Sequence, residues 1–351
     1  MPSIVQPRIP LAPLPRNQLG LTLRDYGGSM STLCAGCGHD SITAALTEAL
    51  WDLSIPPQAV AKLSGIGCSS KTPQFFDSAA LGFNSVHGRM AAIATGAAAA
   101  NRQLVLVGVS GDGDSLSIGL GHLCHAIRRN VRMLYLIADN GVYGLTKGQF
   151  SASADVGSRS KRGVPNLLPP VDPMLLGLSL GATFLARGFS GDKAQLVPIL
   201  KAGLDHSGFA LVDVISPCVQ FNDHEGSTKS FRYVREHELL EVDADFIPRR
   251  DEIKEQQVPG TVTEVQFHDG AAVRFRAVPP GYDPRDRRAV EAYLLEHSGH
   301  GEIVTGLLYL DESVPDLHQL NRTSEEPLQS LPYERLCPGA GELERFQAQL
   351  R

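Results

Sequence analysis

Leu104-Val-Leu-Val-Gly-Val-Ser-Gly-Asp-Gly-Asp114 is an apolar, strand-like run that ends in two glycines separated by an aspartate. A helix-length stretch later, Met133-Leu-Tyr-Leu-Ile-Ala138 repeats the plan and runs into Asp139-Asn140-Gly141-Val142-Tyr143-Gly144. Uninterrupted apolar runs of this length suit strands buried on both faces of a parallel sheet. At the end of the first, Gly111 and Gly113 let the backbone turn tightly and approach an anion. Asp112 offers an anionic oxygen, the Asn140 amide a neutral one and the Val142 carbonyl a third. With phosphate oxygens they suit the octahedral shell of Mg²⁺. A helix predicted over 115–129 would aim its positive end at the same anion. The third glycine of a dinucleotide fingerprint is missing, and so is the Gly-Lys-Ser/Thr of a P-loop. What remains is the pattern of a diphosphate held through a hard cation.

Outward from this pair, strands and helices alternate. Helices are predicted over 40–53, 88–101, 173–180 and 193–206, with strands near Val60, near Phe184 and over 211–215. The fold class is therefore α/β: a doubly wound, mostly parallel sheet with helices on both faces. The loop over 141–170 is long for a connection and carries Lys147, Lys161 and Arg162, so a cavity lid or partner surface is expected there. Beyond residue 240 the character changes. Residues 261–267 and 272–277 alternate around His268-Asp-Gly270, a hairpin signal, and a helix over 284–297 and a strand near 303–309 follow. The expected division is a proline-rich arm over 1–25, a main domain over 26–240 and a small α+β appendage over 241–351 acting as a subunit interface.

Cysteines supply the second constellation. Cys34-Ala-Gly-Cys37 lies in a glycine-rich loop, Cys68 follows the apolar run 59–63, and Cys218 follows the run 209–215. Four thiolates on loops at parallel strand ends suit a [4Fe–4S] cluster, and tetrahedral zinc could use the same four. A disulfide framework fits poorly, because six cysteines in 351 residues is not the density of a secreted scaffold. Cys124 falls within a predicted helix as a small core residue, and Cys337 has no partner spacing.

The Gly-Asp-Gly and Asn pair resembles the signature of thiamine diphosphate enzymes. Together with the split cysteine set and Val86-His87-Gly88-Arg89-Met90-Ala91, it resembles the beta subunit of a 2-oxoacid:ferredoxin oxidoreductase, from about Ser31 to about Asn222. The resemblance implies decarboxylation of a 2-oxoacid on thiamine diphosphate, with single electrons passing through a [4Fe–4S] cluster to ferredoxin. The acyl group would leave on coenzyme A. It implies Cys34, Cys37, Cys68 and Cys218 as cluster ligands, and Asp112, Asn140 and Val142 as Mg²⁺ ligands. Around the cofactor it places Gly36, Gly38, His39, Gly67, Ser69, His87, Gly111, Gly113, Asp114, Tyr143, Gly144, Leu145 and Thr146.

In this family the glutamate that activates the cofactor normally comes from the other subunit. Glu48, mid-helix, suits a solvated face better, so an alpha subunit is expected to supply the glutamate and much of the coenzyme A site in an (αβ)₂ assembly. For the substrate pocket, Lys71 and Lys147 are the expected cations, Arg89 a further one, and Leu145 a wall. Relatives that use pyruvate often have Gly-Gly where this chain has Lys147-Gly148. The lysine therefore resembles the 2-oxoglutarate type, since a buried second carboxylate needs a cation. Pyruvate or another 2-oxoacid is the alternative substrate. A non-redox thiamine enzyme with structural zinc, or a non-catalytic iron–sulfur carrier, are the alternative functions.

Net charge of −6 without a clustered basic face excludes a nucleic-acid footprint. No apolar stretch reaches the roughly 18 residues of a membrane span, and the expected compartment is the reducing cytoplasm.

Overall fold

The computed structural model describes residues 14–247, 262–266, 272–276, 282–337 and 339–350. Six parallel strands form one side of the sheet, out to its edge at β2: β1 (Val60–Ser64), β2 (Leu81–Asn84), β3 (Val105–Gly111), β4 (Met133–Asp139), β7 (Phe184–Phe189) and β8 (Phe209–Ile215). They run in the spatial order β2-β1-β3-β4-β8-β7. Every residue of β4 and β8 is buried, so both strands are covered on both faces, as their unbroken apolar sequences require. The helices that cover them include α1 (Gly38–Asp52), α2 (Met90–Ala100), α3 (Leu120–Arg128), α4 (Pro173–Leu180) and α5 (Lys193–Asp205). No helix among the described residues is long and apolar enough to cross a membrane.

After β4 a separate two-stranded hairpin forms, β5 (Val142–Tyr143) against β6 (Gln149–Phe150). Past β7 the main sheet continues. Strand β12 (Ile303–Leu310) pairs antiparallel with β7, and β9 (Glu238–Ile247) pairs parallel with β12. The expected hairpin is present as β10 (Val262–Gln266) against β11 (Ala272–Arg276), with Gln266 opposite Ala272. Its turn at 268–270 lies outside the described residues, as does the arm before residue 14. Residues 14–25 lead along α1, where the Trp51 indole donates to the Leu21 carbonyl at 3.0 Å. Sequence reading missed β2, since Leu81-Gly-Phe-Asn is a short and exposed edge strand. It also missed α6 (Phe231–His237), a two-turn helix capped by the Ser230 hydroxyl.

The strand ends matter for the site. Ser64, Gly111, Asp139 and Ile215 all close parallel strands at the same edge, and the loops that follow them carry Cys68, Asp112, Asn140 and Cys218. Gly38 makes a close approach possible there. A Cβ at this position would lie 2.5 Å from the hydroxyls of Ser190 and Ser216, so only glycine lets the start of α1 rest on the end of β8.

The segment carrying Cys68 is pinned from below. The buried Lys62 ammonium donates to the carbonyls of Phe76 (2.9 Å) and Asp77 (2.6 Å). Asp77 is itself fully buried, and burial pushes its carboxyl up to about 6 against the opposing pull of Lys62. The folded state thus holds this proton more tightly than the unfolded chain. Asp77 contributes stability that is full below its unfolded value of 3.8 and is lost as pH rises through about 6. In urea unfolding at pH 4 and pH 7, the wild type should lose up to about 3 kcal/mol that Asp77→Asn does not lose. Parallel profiles for the two proteins would refute this.

Candidate active site

Asp112 is almost completely buried at the end of β3. One oxygen, Oδ2, accepts from the Gly141 amide (2.9 Å), from the Ser153 hydroxyl (2.5 Å) and from the Ser151 hydroxyl. Burial, with Asp139 adding to it, pushes this carboxyl up to about 7 despite those donors. An acid held in this way is poised to exchange its proton for a metal cation. Beside it, the Asn140 side-chain oxygen accepts from the Val142 amide at 3.0 Å, while the Asn140 carbonyl accepts from Asn222 at 2.8 Å.

The predicted helix over 115–129 begins later than its sequence suggests. Residues Gly113–Ile118 form a π-helical turn, and α3 starts at Leu120. The Gly119 amide reaches back to the Asp114 carbonyl at 2.7 Å, which widens the turn behind the Gly-Asp-Gly loop. The Asp114 side chain braces the same loop, accepting from the Gly88 amide (2.7 Å) and the Ser110 hydroxyl (3.0 Å). Tyr143 closes it by donating to the Gly113 carbonyl at 2.8 Å. Gly111 lies against Ser69, whose hydroxyl would sit 3.4 Å from a Cβ there.

Next to this loop, Cys34, Cys37, Cys68 and Cys218 line a single cavity of about 160 Å³ together with His39, Lys71, Asn140, Gly144 and Leu145. None of the four is in a disulfide. A Cβ built on Gly144 would sit 3.4 Å from the Cys218 sulfur and 3.5 Å from the Cys68 sulfur. Burial pushes the Cys37 thiol up to about 12, and the charges of Cys218 and Cys68 add to this. Among the described residues, no three His, Cys, Asp or Glu side chains gather tightly enough to hold one ion. The four cysteines reach the one cavity from three separate loops.

His39 is buried, and its Nδ1 pairs with the Ser216 hydroxyl at 2.7 Å. Burial pushes this imidazole down to about 4, so it stays neutral at pH 7. Gly67 opens the 3-10 turn over Cys68–Gln74, and Gly36 lies beside Val219. Lys71 lies close enough to Cys68 to lower its thiol, although burial raises that thiol overall.

Other expected residues fall elsewhere. Lys147 and Thr146 line an adjoining groove with Gly148, Gln149, Ser160, Lys161 and Arg162, and Lys147 sits in a left-handed conformation with φ 76°. The Arg89 guanidinium meets His122 on α3, and His87 is exposed. Glu48 pairs with Lys193 of α5 on a helix face, as expected of a solvated position. Sequence reading missed Ser151, Ser153, Asp139 and Lys229. The alternation Ser151-Ala-Ser153-Ala-Asp155 was the available signal, since in extended chain it puts three polar groups on one side.

Fold and loop geometry define a thiamine diphosphate-binding α/β domain. Residues 65–214 match the family model for the thiamine pyrophosphate enzyme C-terminal TPP-binding domain. The 2-oxoacid:ferredoxin oxidoreductase subunit beta of a Sulfolobus species is 37% identical over 267 residues, 74% of this chain and 87% of that protein. The 2-oxoglutarate oxidoreductase subunit KorB of Mycobacterium tuberculosis is 42% identical over 191 residues, 54% of this chain and 51% of its own. Among solved structures, the Magnetococcus marinus 2-oxoglutarate:ferredoxin oxidoreductase, holding 2-oxoglutarate, coenzyme A and succinyl-CoA, superposes with a TM-score of 0.71. It is 31% identical over 90% of this chain and 94% of that one. This chain belongs to the family of 2-oxoacid:ferredoxin oxidoreductase beta subunits.

The tight contact at Gly113 gives a direct test of the loop. A Cβ there would lie 2.4 Å from the Tyr143 ring, and overpacking of this kind costs about 1–3 kcal/mol. Calorimetric titration of Gly113→Ala with thiamine diphosphate and Mg²⁺ should show binding weakened by about tenfold or more. Wild-type affinity would show that the loop does not hold the cofactor.

Proposed function

We propose that this chain is the beta subunit of a 2-oxoglutarate:ferredoxin oxidoreductase, working with an alpha subunit in an (αβ)₂ assembly. The reaction converts 2-oxoglutarate and coenzyme A to succinyl-CoA, carbon dioxide and a proton, and two electrons leave singly on two ferredoxins. The observation that carries this reading is that one loop serves two sites. The segment 139–144 forms the wall of the Asp112 site, and its Asn140 and Gly144 also line the four-thiol cavity. An electron relay there would stand directly beside the cofactor.

The residues suit the groups they would hold. Asp112, the Asn140 amide and the Val142 carbonyl form an all-oxygen set, the preference of Mg²⁺. Four soft thiolates without a carboxylate suit iron and sulfide. Tetrahedral zinc could use the same four thiolates, and the neighbouring thiamine site is what favours the cluster. When bound, thiamine diphosphate supplies a nucleophilic carbon and an electron sink, and the cluster supplies one-electron transfer.

The chain's own residues do the rest. Gly111 and Gly113 allow the diphosphate close to the backbone, and Tyr143 and Asp114 keep that loop from relaxing. His39, neutral and anchored on Ser216, adds no charge beside the thiols. Lys71 gives the cavity a cation for the 2-oxoacid carboxylate, and the half-exposed Leu145 offers an apolar wall. Lys147, with Lys161 and Arg162 around it, supplies positive charge for the second carboxylate at the mouth. The strained backbone at Lys147 supports such a role, since a non-glycine residue is seldom held there without a reason.

Anoxic purification with the alpha subunit, followed by iron, sulfide and paramagnetic resonance measurements, tests the redox reading. About four iron and four sulfide per chain, with the signal of a reduced cubane, is the expected result. Zinc without sulfide would sink it. For the substrate, Lys147→Ala should lower kcat/KM for 2-oxoglutarate by about tenfold or more while leaving pyruvate unaffected or improved. An equal loss for both substrates would remove Lys147 from the specificity argument.

A further inference from the structure

We propose that Lys229 is a positioning residue for the divalent cation at Asp112 and Asn140, acting through Asp139 and Ser153. This rests on those two residues holding the cation.

Lys229 lies in the segment between Cys218 and α6, far in sequence from the loop it reaches. Its ammonium is 3.2 Å from Asp139 Oδ2, with the Asp139 side chain fully buried and that of Lys229 17% exposed. The other Asp139 oxygen accepts from the Ser153 hydroxyl at 2.6 Å, and that same hydroxyl stands 2.5 Å from Asp112 Oδ2. The Gly141 amide is likewise shared, 2.9 Å from Asp112 and 3.3 Å from Asp139. Two buried carboxyl groups thus compete for one hydroxyl proton and one amide proton.

That competition makes Lys229 necessary. With the ammonium in place, Asp139 has a cation of its own, and Asp112 is left to face the metal. Remove it and Asp139 is a buried carboxylate without a counter-ion, able to draw Ser153 and Gly141 toward itself or to capture the metal in the wrong place. Either change moves the donors that orient Asp112. In metal sites, outer partners of this kind typically alter affinity by about 10–100-fold.

Lys229 is also firmly placed. Its neighbour Thr228 holds the Asp155 carboxylate through its amide (2.9 Å) and hydroxyl (2.6 Å). The Lys229 Cγ lies 3.5 Å from where a Cβ of Gly141 would sit, so the stem packs on the metal loop. Asn222, from the same segment, grips the Asn140 carbonyl. The loop 139–141 is therefore clamped between 151–155 on one side and 222–229 on the other. Nearby, Asp213 pairs with Arg187 at 2.8 Å, a cation that Asp172 shares at 3.0 Å, and Lys229 acts on Asp213 too, though Asp139 is its strongest charged partner.

The test titrates Mg²⁺ calorimetrically into the αβ complex carrying saturating thiamine diphosphate. Lys229→Met should weaken Mg²⁺ binding by about 10–100-fold, and Lys229→Arg should recover most of that loss. Iron and sulfide content should stay at wild-type values, while the unfolding midpoint of the Mg²⁺-free complex falls for Lys229→Met, because Asp139 loses its counter-ion, and stays near wild type for Ser153→Ala. Ser153→Ala, which removes only a hydroxyl, should shift Mg²⁺ affinity in the same direction and serves if Lys229→Met does not fold. If Asp112→Ala loses Mg²⁺ binding while Lys229→Met and Ser153→Ala retain wild-type affinity, the positioning role is wrong. If Asp112→Ala itself binds like wild type, the cation site is misplaced and the inference falls with it.

Discussion

A carboxylate shut away from water at the end of a central strand is the constraint on which the rest of this structure depends. Asp112 must sit where solvent cannot compensate its charge, and burial alone pushes it toward the protonated acid. The surrounding structure answers with donors aimed at one oxygen, an arrangement that suits the cation proposed there. Those donors come from residues 141, 151 and 153, so the long loop after β4 has to fold back over the strand ends. The loop's length follows from that duty.

The same fold-back creates the second site. Once 139–144 is drawn over Asp112, Gly144 lies between the sulfurs of Cys68 and Cys218, and Asn140 faces both cavities. The thiols come from loops after β1 and β8 and from the entry to α1, three places that meet because parallel strands present their ends at one edge. This sharing of one loop sets the four-thiol cavity beside the Asp112 site without any additional element. The described site offers cations, thiols and backbone amides, while the one glutamate considered for cofactor activation, Glu48, is occupied with Lys193 on the far side of α1.

Much of this was legible beforehand. The strands ending at Gly111 and Asp139 announce themselves by their apolar runs, and the helices over 40–53, 88–101, 173–180 and 193–206 agree with the observed elements within a few residues. The edge strand at Leu81 was not legible, because four residues with only Leu81 and Phe83 apolar are too short a run to stand out as a strand. The late start of α3 was hidden for a different reason: Gly88 presses against Gly119, a contact between chain segments some thirty residues apart that local propensity cannot encode. Lys147 illustrates a third limit. Its place just after the 139–144 loop put it at the active-site mouth, but the left-handed backbone there and the company of Lys161 and Arg162 in one groove were not readable from the chain.

By itself the sequence determined the chemistry that is local: a glycine-flanked aspartate after a buried strand, an asparagine after the next one, and cysteines at loop positions. Those depend on residue type and short spacing, which the chain carries directly. Only the tertiary structure decided which of these groups share a proton, a wall or a counter-ion. Ser153 between Asp112 and Asp139, and Lys229 against Asp139, come together from segments 14 to 90 residues apart. Their contacts exist because a twisted parallel sheet gathers distant loops at one edge, and no reading of spacing along the chain contains that convergence.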